Sequence, residues 1–248
     1  MTKLNILKTY KIFIGGAFPR TESGRYYKVW DAKKNLLANA CLSSRKDFRN
    51  AVVAARKAFD GWSTRTHFNR GQILYRIAEM LEGRKAQFVE ELIWQGSSKV
   101  AAEKEVQLSI DRCVYYSGWC DKYAALFSSV NPVASSHFNF SVPEPTGVVS
   151  IIAPEDSSLL GLLSVLLPVI AGGNTCVVLA SESKPLCAVT FAEVLATSDL
   201  PGGVVNIITG NSQELHTHFS NHMDVNAVIY FRENAIEQKT IAENASLN

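Results

Sequence analysis

The sequence lacks a CxxC pair, a run of like charge and a continuous apolar leader. Its five cysteines, Cys41, Cys113, Cys120, Cys176 and Cys187, fall mostly within apolar segments. That pattern suits reduced, packed thiols and argues against a disulfide framework or a zinc site. Net charge is nearly absent too: 25 Lys and Arg are interleaved with 23 Asp and Glu, for a formal +2. No electrostatic footprint for nucleic acid or anionic lipid results, so neither is expected as a partner. The start, "MTKLNILKTYKIFIGG", has no small-residue cleavage site behind an apolar run, so we expect no secretory signal and a cytoplasmic location.

What is there is apolar surface in quantity. Of 248 residues 47% are hydrophobic, enough for a substantial core in one large domain or two small ones. The first part reads as β-rich: "YKIFIGG", "YYKVWD" and "LLANACLS", separated by turn residues, predict a short antiparallel layer. Ser44, three residues before Asp47, opens a capping-box-like start to an amphipathic helix carrying Phe48, Val52, Ala55 and Phe59 on one face. Helical patterns continue through "RGQILYRIAEMLEGR", "AQFVEELIWQGSS" and the long, aromatic-rich "AEKEVQLSIDRCVYYSGWCDKYAALF". Pro, Ser and Asn then break the pattern, leaving an alternating piece, His137 to Val142, as one exposed strand.

From Gly147 onward short apolar runs alternate with helical ones. "VVSIIA", "NTCVVLA", "VVNIIT" and "NAVIYF" read as buried strands, with "SSLLGLLSVLLPVIAG", "PLCAVTFAEVLATS" and "SQELHTHFSNH" as crossover helices. The order βαβαβαβ implies a parallel sheet covered on both faces, a doubly wound, Rossmann-like α/β fold. The most apolar stretch, Pro154 to Ala180, begins with Glu155 and Asp156 and then carries no charge at all. Pro168 and the Gly172-Gly173-Asn174 turn divide it into a helix too short for a bilayer and a following strand, which counts against a membrane anchor. His216, His218 and His222 lie at i, i+2 and i+6 and share no helical face as a metal pair would; no metal site is expected.

Seven segments, in order, resemble the aldehyde dehydrogenase superfamily: "DFRNAVVAARKAFDGW", "NRGQILYRIAEMLE", "CVYYSGWCDKY", "PEPTGVVSIIAP", "LLPVIAGGNTCVV", "DLPGGVVNIITG" and "DVNAVIYF". The finer pattern is most similar to the non-catalytic second half of the two-module family 16 proteins. The resemblance implies a cofactor-type domain with an N-terminal β-hairpin and helical layer over residues 1–128. It further implies an oligomerisation-arm-like strand at 129–146 and a Rossmann-like half at 147–248, with the chain stopping before the catalytic domain.

It also implies where a cofactor would lie. The equivalent positions are Ala153, Pro154, Glu155, Leu179, Glu182, Gly210, Phe231 and Glu233, and several depart from the family. The family's Pro-Trp-Asn, whose Asn stabilises the reaction's oxyanion, is matched by Pro154-Glu155-Asp156, so Asp156 offers an acceptor where a donor is needed. Capping of the following helix is the expected role for Asp156. Leu179 stands where the family has a ribose-binding Lys, while the companion Glu is kept as Glu182. The family's Gly-Ser-Thr-x-x-Gly turn, which cradles pyrophosphate, is matched by Glu233 to Gln238 without either glycine. No cysteine aligns with the family's nucleophile, and the general-base Glu falls beyond the end, so no catalytic residue is expected.

Three functions follow as expectations. The favoured one is a pseudoenzyme module with a structural or assembly role, no cofactor, and itself or a catalytic aldehyde dehydrogenase chain as partner. The strand His137 to Val142 and a helix starting near Asn234 would supply the contacts. The second is a fragment of an NAD(P)-dependent aldehyde dehydrogenase whose catalytic half lies elsewhere. The third, a membrane-anchored protein, is disfavoured by Pro168 and the two glycines.

Overall fold

The computed structural model describes residues 8–248. The expectation about a secretory leader falls partly on residues 1–7, outside the described residues. Near the N-terminus, β1 (Thr9–Tyr10), β2 (Tyr26–Trp30) and β3 (Leu36–Cys41) form a sheet in the order β1-β3-β2. The β2–β3 hairpin turns at Asp31, whose carboxylate accepts the Lys33 and Asn35 N–H groups at 2.8 and 2.7 Å. Only this pair is antiparallel. β1 runs parallel to β3, which corrects the expected antiparallel layer. The "YKIFIGG" run is also not one strand: beyond Tyr10 it leaves β3, and Phe13 exchanges two 2.8 Å backbone bonds with Ile207 on the main sheet.

Helix α1 (Arg45–Ser63) begins as its capping box predicts, with Asp47 accepting the Ser44 N–H at 2.7 Å. Its last turn carries Trp62, fully buried, whose indole N–H donates to the Ile170 carbonyl at 3.0 Å. Helices α2 (His67–Gly83), α3 (Lys85–Trp94) and α4 (Lys99–Trp119) stack beyond it. The long aromatic segment is not continuous: it breaks at residues 120–122 before a short α5 (Tyr123–Phe127). The cause is local. Gly118 is a poor helix former, Ser117 Oγ bonds the Val114 carbonyl at 2.9 Å, and the Lys122 ammonium takes the Gly118 carbonyl.

The expected exposed strand is β5 (Asn139–Ser141), and it has a partner in β4 (Ser129–Asn131). Three residues, Ser-Val-Asn, offer no alternation from which β4 could be read. The pair projects Val130, Phe138 and Phe140 into solvent at 71%, 73% and 57% exposure.

The remaining elements are β6 (Val148–Ile152), α6 (Leu160–Ala171), β7 (Thr175–Leu179), α7 (Leu186–Ala196), β8 (Val205–Ile208), α8 (Ser212–Asn221), β9 (Ala227–Tyr230) and α9 (Ala235–Leu247). The four strands are parallel, in the order β8-β7-β6-β9. Period-two alternation sends Val149, Ile151, Cys176 and Val178 into one core with α6 and α7, and Val148, Ile152, Val177 and Leu179 into a second core with α1 and α8. Helix α6 is apolar on nearly every face because all of it except Pro168 is wholly or partly covered. Pro168 lies inside it, and the chain turns off at Gly172 and Gly173, the latter at φ 87, where a side chain would be strained. Among the described residues no helix is long and apolar enough to cross a membrane.

Candidate functional site: the crevice at the switch point

Strand order places the site. The chain moves outward from β6 to β7 to β8, then returns to lay β9 on the other side of β6. In open α/β sheets such a reversal leaves a crevice beyond the carboxyl ends of the strands, where ligands bind. Here the crevice opens into a cleft of about 760 Å³, walled by β2 on one side and by the starts of α8 and α9 on the other.

Arg232, two residues past the end of β9, crosses this crevice. Its Nε donates to the Ala153 carbonyl and its Nη2 to the Ala180 carbonyl, both at 3.1 Å, and Nη2 lies 3.2 Å from Glu155 Oε2. The ends of β6, β7 and β9 are thereby tied by one arginine whose side chain is 10% exposed. Glu155 also closes the turn after β7, accepting the Ser183 and Glu182 N–H groups at 2.7 and 3.1 Å and the Ser181 hydroxyl at 3.2 Å. Burial alone would raise its pKa, but the donors of Ser183 and Glu182, with Arg232, outweigh burial and hold the carboxyl below its ordinary value. Glu182 moves the other way. Burial first, then the charge of Glu155, raise it, and Asn211 Nδ2 at 3.2 Å is its one side-chain donor.

The N-terminus of α9 is closed from within. Asn234 Oδ1 accepts the Ile236 and Glu237 N–H groups at 3.1 and 3.2 Å. Glu237, in the same first turn, is buried and accepts from Ser212 Oγ at 2.7 Å and the Tyr230 hydroxyl at 3.0 Å. Burial, then the bond to Glu237 and its charge, push Tyr230 up to about 12.

Of the positions singled out in the sequence, the fold gathers Glu155, Glu182 and Glu233 around the cleft. Ala153 contributes only its carbonyl, and Pro154 is half-buried beside it. Leu179 is fully buried in the core between Ile152 and Ile208. Gly210 lies in the turn before α8, against the Ser43 backbone, and Phe231 is exposed with its N–H on the Ile152 carbonyl. Asp156 corrects an expectation: it caps nothing. Its side chain is exposed, and its carbonyl accepts the Lys184 ammonium at 2.7 Å. Helix α6 starts four residues later and is capped by Ser157 Oγ, which accepts the Gly161 N–H at 2.8 Å, and by Glu105 of α4, whose Oε1 accepts the Leu159 and Leu160 N–H groups at 3.2 and 3.1 Å. The three histidines form no metal cluster, and none of three or more ligating residues exists among the described residues.

Sequence reasoning missed Arg232, Asn234 and Tyr27. For Arg232 a signal existed: it is the only arginine after Arg112, and it stands just past the last strand of the pattern. Asn234 stands three residues before an acid, as a helix cap does. Tyr27, whose hydroxyl is shut off beside the cleft, had no local signal.

Comparison with known proteins agrees with this architecture. Cytosolic 10-formyltetrahydrofolate dehydrogenase of Mus musculus is 30% identical over 232 residues, covering 91% of this chain and 26% of that protein. An aldehyde dehydrogenase of Davidiella tassiana is 29% identical over 240 residues, covering 96% and 48%. Among solved structures, an NAD+ complex of an aldehyde dehydrogenase from Bacillus cereus superposes with a TM-score of 0.91 at 25% identity, covering 97% of this chain and 49% of that one. HpcC from Thermus thermophilus gives 0.91 at 26% identity, covering 96% and 46%. The chain thus spans about half the length of the aldehyde dehydrogenases it matches, and about a quarter of the mouse protein. The model of the aldehyde dehydrogenase family matches residues 19–247, nearly the whole sequence, and the chain belongs to that family.

Proposed function

We propose that this chain is a pseudoenzyme module of the aldehyde dehydrogenase family, in which the family's nucleotide crevice is closed by the chain's own side chains and the retained role is structural or one of assembly. One observation carries the proposal: Arg232 spans the switch-point crevice and is held there by two strand-end carbonyls and Glu155. The residues present do not fit an anionic dinucleotide. The first free N–H groups of α9 are taken by Asn234, a buried Glu237 occupies the same turn, and Glu233 adds a second negative charge at the lip. Two like charges about 4 Å apart repel by about 4 kcal/mol at an effective dielectric of 20, less where water and salt reach them.

Thiol chemistry finds no support within this chain either. All five cysteines are buried, and burial pushes Cys120 up to about 11, Cys113 to about 12, and Cys176 and Cys187 higher still. The β4–β5 arm, with its exposed Phe138 and Phe140, suits docking on a second copy or on a catalytic aldehyde dehydrogenase chain.

The second reading, a fragment of an NAD(P)-dependent aldehyde dehydrogenase, is favoured by the volume of the cleft and by the NAD+ complex of the Bacillus cereus relative. Titrating NADH against the purified chain and following nucleotide fluorescence separates the two. The proposal expects no saturation up to about 1 mM, whereas a dissociation constant below about 0.1 mM would establish the second reading instead.

A further inference from the structure

We infer that the cavity between the start of α1 and the end of α8 binds the dianionic head of a small phosphomonoester. The inference is independent of the nucleotide question. The switch-point crevice lies at the other end of α8, about 15 Å away for ten residues rising about 1.5 Å each.

The cavity holds about 440 Å³ and is walled by two pairs of side chains, each pair four residues apart: Arg45 and Arg49 on α1, His218 and His222 at the end of α8. The three histidines of this helix do not act as a set. His216 turns to the Ser212 carbonyl at 2.9 Å, and the other two face the cavity. Among the described residues neither arginine enters an ion pair or a side-chain hydrogen bond, and the His218 ring has no hydrogen-bond partner. His222 is held edge-on by buried Phe48, with ring centroids 5.9 Å apart at 77°, and its Nδ1 accepts the Asp224 N–H at 3.2 Å. The neutral ring therefore carries its proton on Nε2, which finds no acceptor.

Four donor groups thus converge without an acceptor. They are not caps for α8, since none of them donates to a carbonyl at its end, where Ser150 takes that of Phe219 and Asn248 that of His222. The acid in the wall, Asp224, is drawn to Arg56 at 4.0 Å. His218 feels the resulting potential: burial, and then the charges of Arg45, His216 and His222, hold it below the usual imidazole range. Cations kept together in a cavity mark a place for an anion. Two guanidinium forks match a tetrahedral oxyanion, which offers more acceptor oxygens than a carboxylate, and the second ionisation of a phosphomonoester falls beside that of imidazole. Met223, 89% exposed at the lip, gives the organic stem an apolar surface.

Glycerol 3-phosphate is a suitable probe, titrated at pH 7 and low ionic strength by isothermal calorimetry, with the imidazole resonances followed in parallel. The expected result is one saturable site with a dissociation constant below about 1 mM, no binding of glycerol, and a His218 titration moved to higher pH by the bound anion. Arg45→Gln with Arg49→Gln should weaken binding by at least about tenfold, and His218→Gln by a smaller factor. Arg49→Glu, a single change at an exposed position, should abolish saturation and serves if the double variant does not fold. Lys46→Gln is the control: this exposed residue of the same helix lies outside the cavity and pairs with Glu22, so affinity should stay as in the wild type. Absence of saturation, a His218 titration that does not move, or equal weakening by Lys46→Gln and the double arginine variant overturns the site.

Discussion

Replacing Arg232 by alanine removes two charge-assisted bonds to buried strand-end carbonyls and one contact with a carboxylate. Each bond from a charged donor is worth about 1.5–3 kcal/mol, for a first total of about 3–6 kcal/mol. The cleft admits water, and water would re-satisfy the Ala153 and Ala180 carbonyls in part, which favours the lower end, about 3 kcal/mol. The ion pair adds little, because Glu155 is 39% exposed and keeps its donors from Ser181, Glu182 and Ser183. For a chain of this size about 2–4 °C of Tm is lost per kcal/mol, so a thermal melt followed by circular dichroism should fall by about 6–12 °C. Arg232→Lys, which cannot reach both carbonyls with one ammonium, should fall in between. The acid limb gives a second signature. Glu155 has a folded pKa below its unfolded one, so its contribution is present above the ordinary carboxylate range and lost as pH falls through the folded value. Removing Arg232 should move that loss to higher pH. A melt shifted by less than about 2 °C would refute the view that the guanidinium ties the strand ends together. Saturable NADH binding by Arg232→Ala, absent in the wild type, would identify Arg232, rather than the acidic start of α9, as the group that closes the crevice.

Two further outcomes test other parts of the structure. Phe138→Asp with Phe140→Asp places charge on the exposed arm and should convert any self-association seen by analytical ultracentrifugation into monomer without changing Tm, since both side chains are mostly solvent-facing; an unchanged sedimentation profile argues for a different contact surface. Glu91 is a buried carboxylate whose Oε1 accepts from Tyr10 at 2.9 Å and Thr190 at 2.7 Å while Oε2 has no partner, and burial raises its pKa above 4.5 despite those donors. A raised folded pKa means stability that is full below the unfolded value and lost as pH rises through the folded one. Glu91→Gln should therefore flatten the decline in urea midpoint from about pH 4.5 upward, and a variant with the wild-type slope would show that Glu91 does not titrate in this way.

The sheet was legible because its strands are short apolar runs set between Gly and Asn turns, and because a polar start such as Ser44-x-x-Asp47 has a local meaning. What was not legible depends on partners far along the chain. Arg232 finds the Ala153 carbonyl 79 residues away, and Glu155 finds the Glu182 N–H 27 residues away, so neither role is written in the neighbouring sequence. Asp156 shows the converse error. An acid shortly before a helix reads as a cap, but the chain bends again before α6 begins, and Ser157 and Glu105 do the capping. Leu179 carries a practical lesson: restoring a lysine there would place an ammonium in a fully buried position.

The cap that Glu105 lends to α6 bears on the order in which the molecule assembles. Helix α6 has no acidic residue in its first turn, and its N-terminal residue Leu160 takes its carboxylate from 55 positions earlier. A chain emerging from synthesis therefore completes α4 well before the segment it will cap exists, and α6 can reach its final start only after docking on α4. Loop closure over such a span is slow compared with helix growth, so the two helices should gain amide protection together. In pulsed hydrogen exchange, the amides of Leu159 and Leu160 would become protected with the α4–α6 interface, whatever the helical tendency of α6 in isolation.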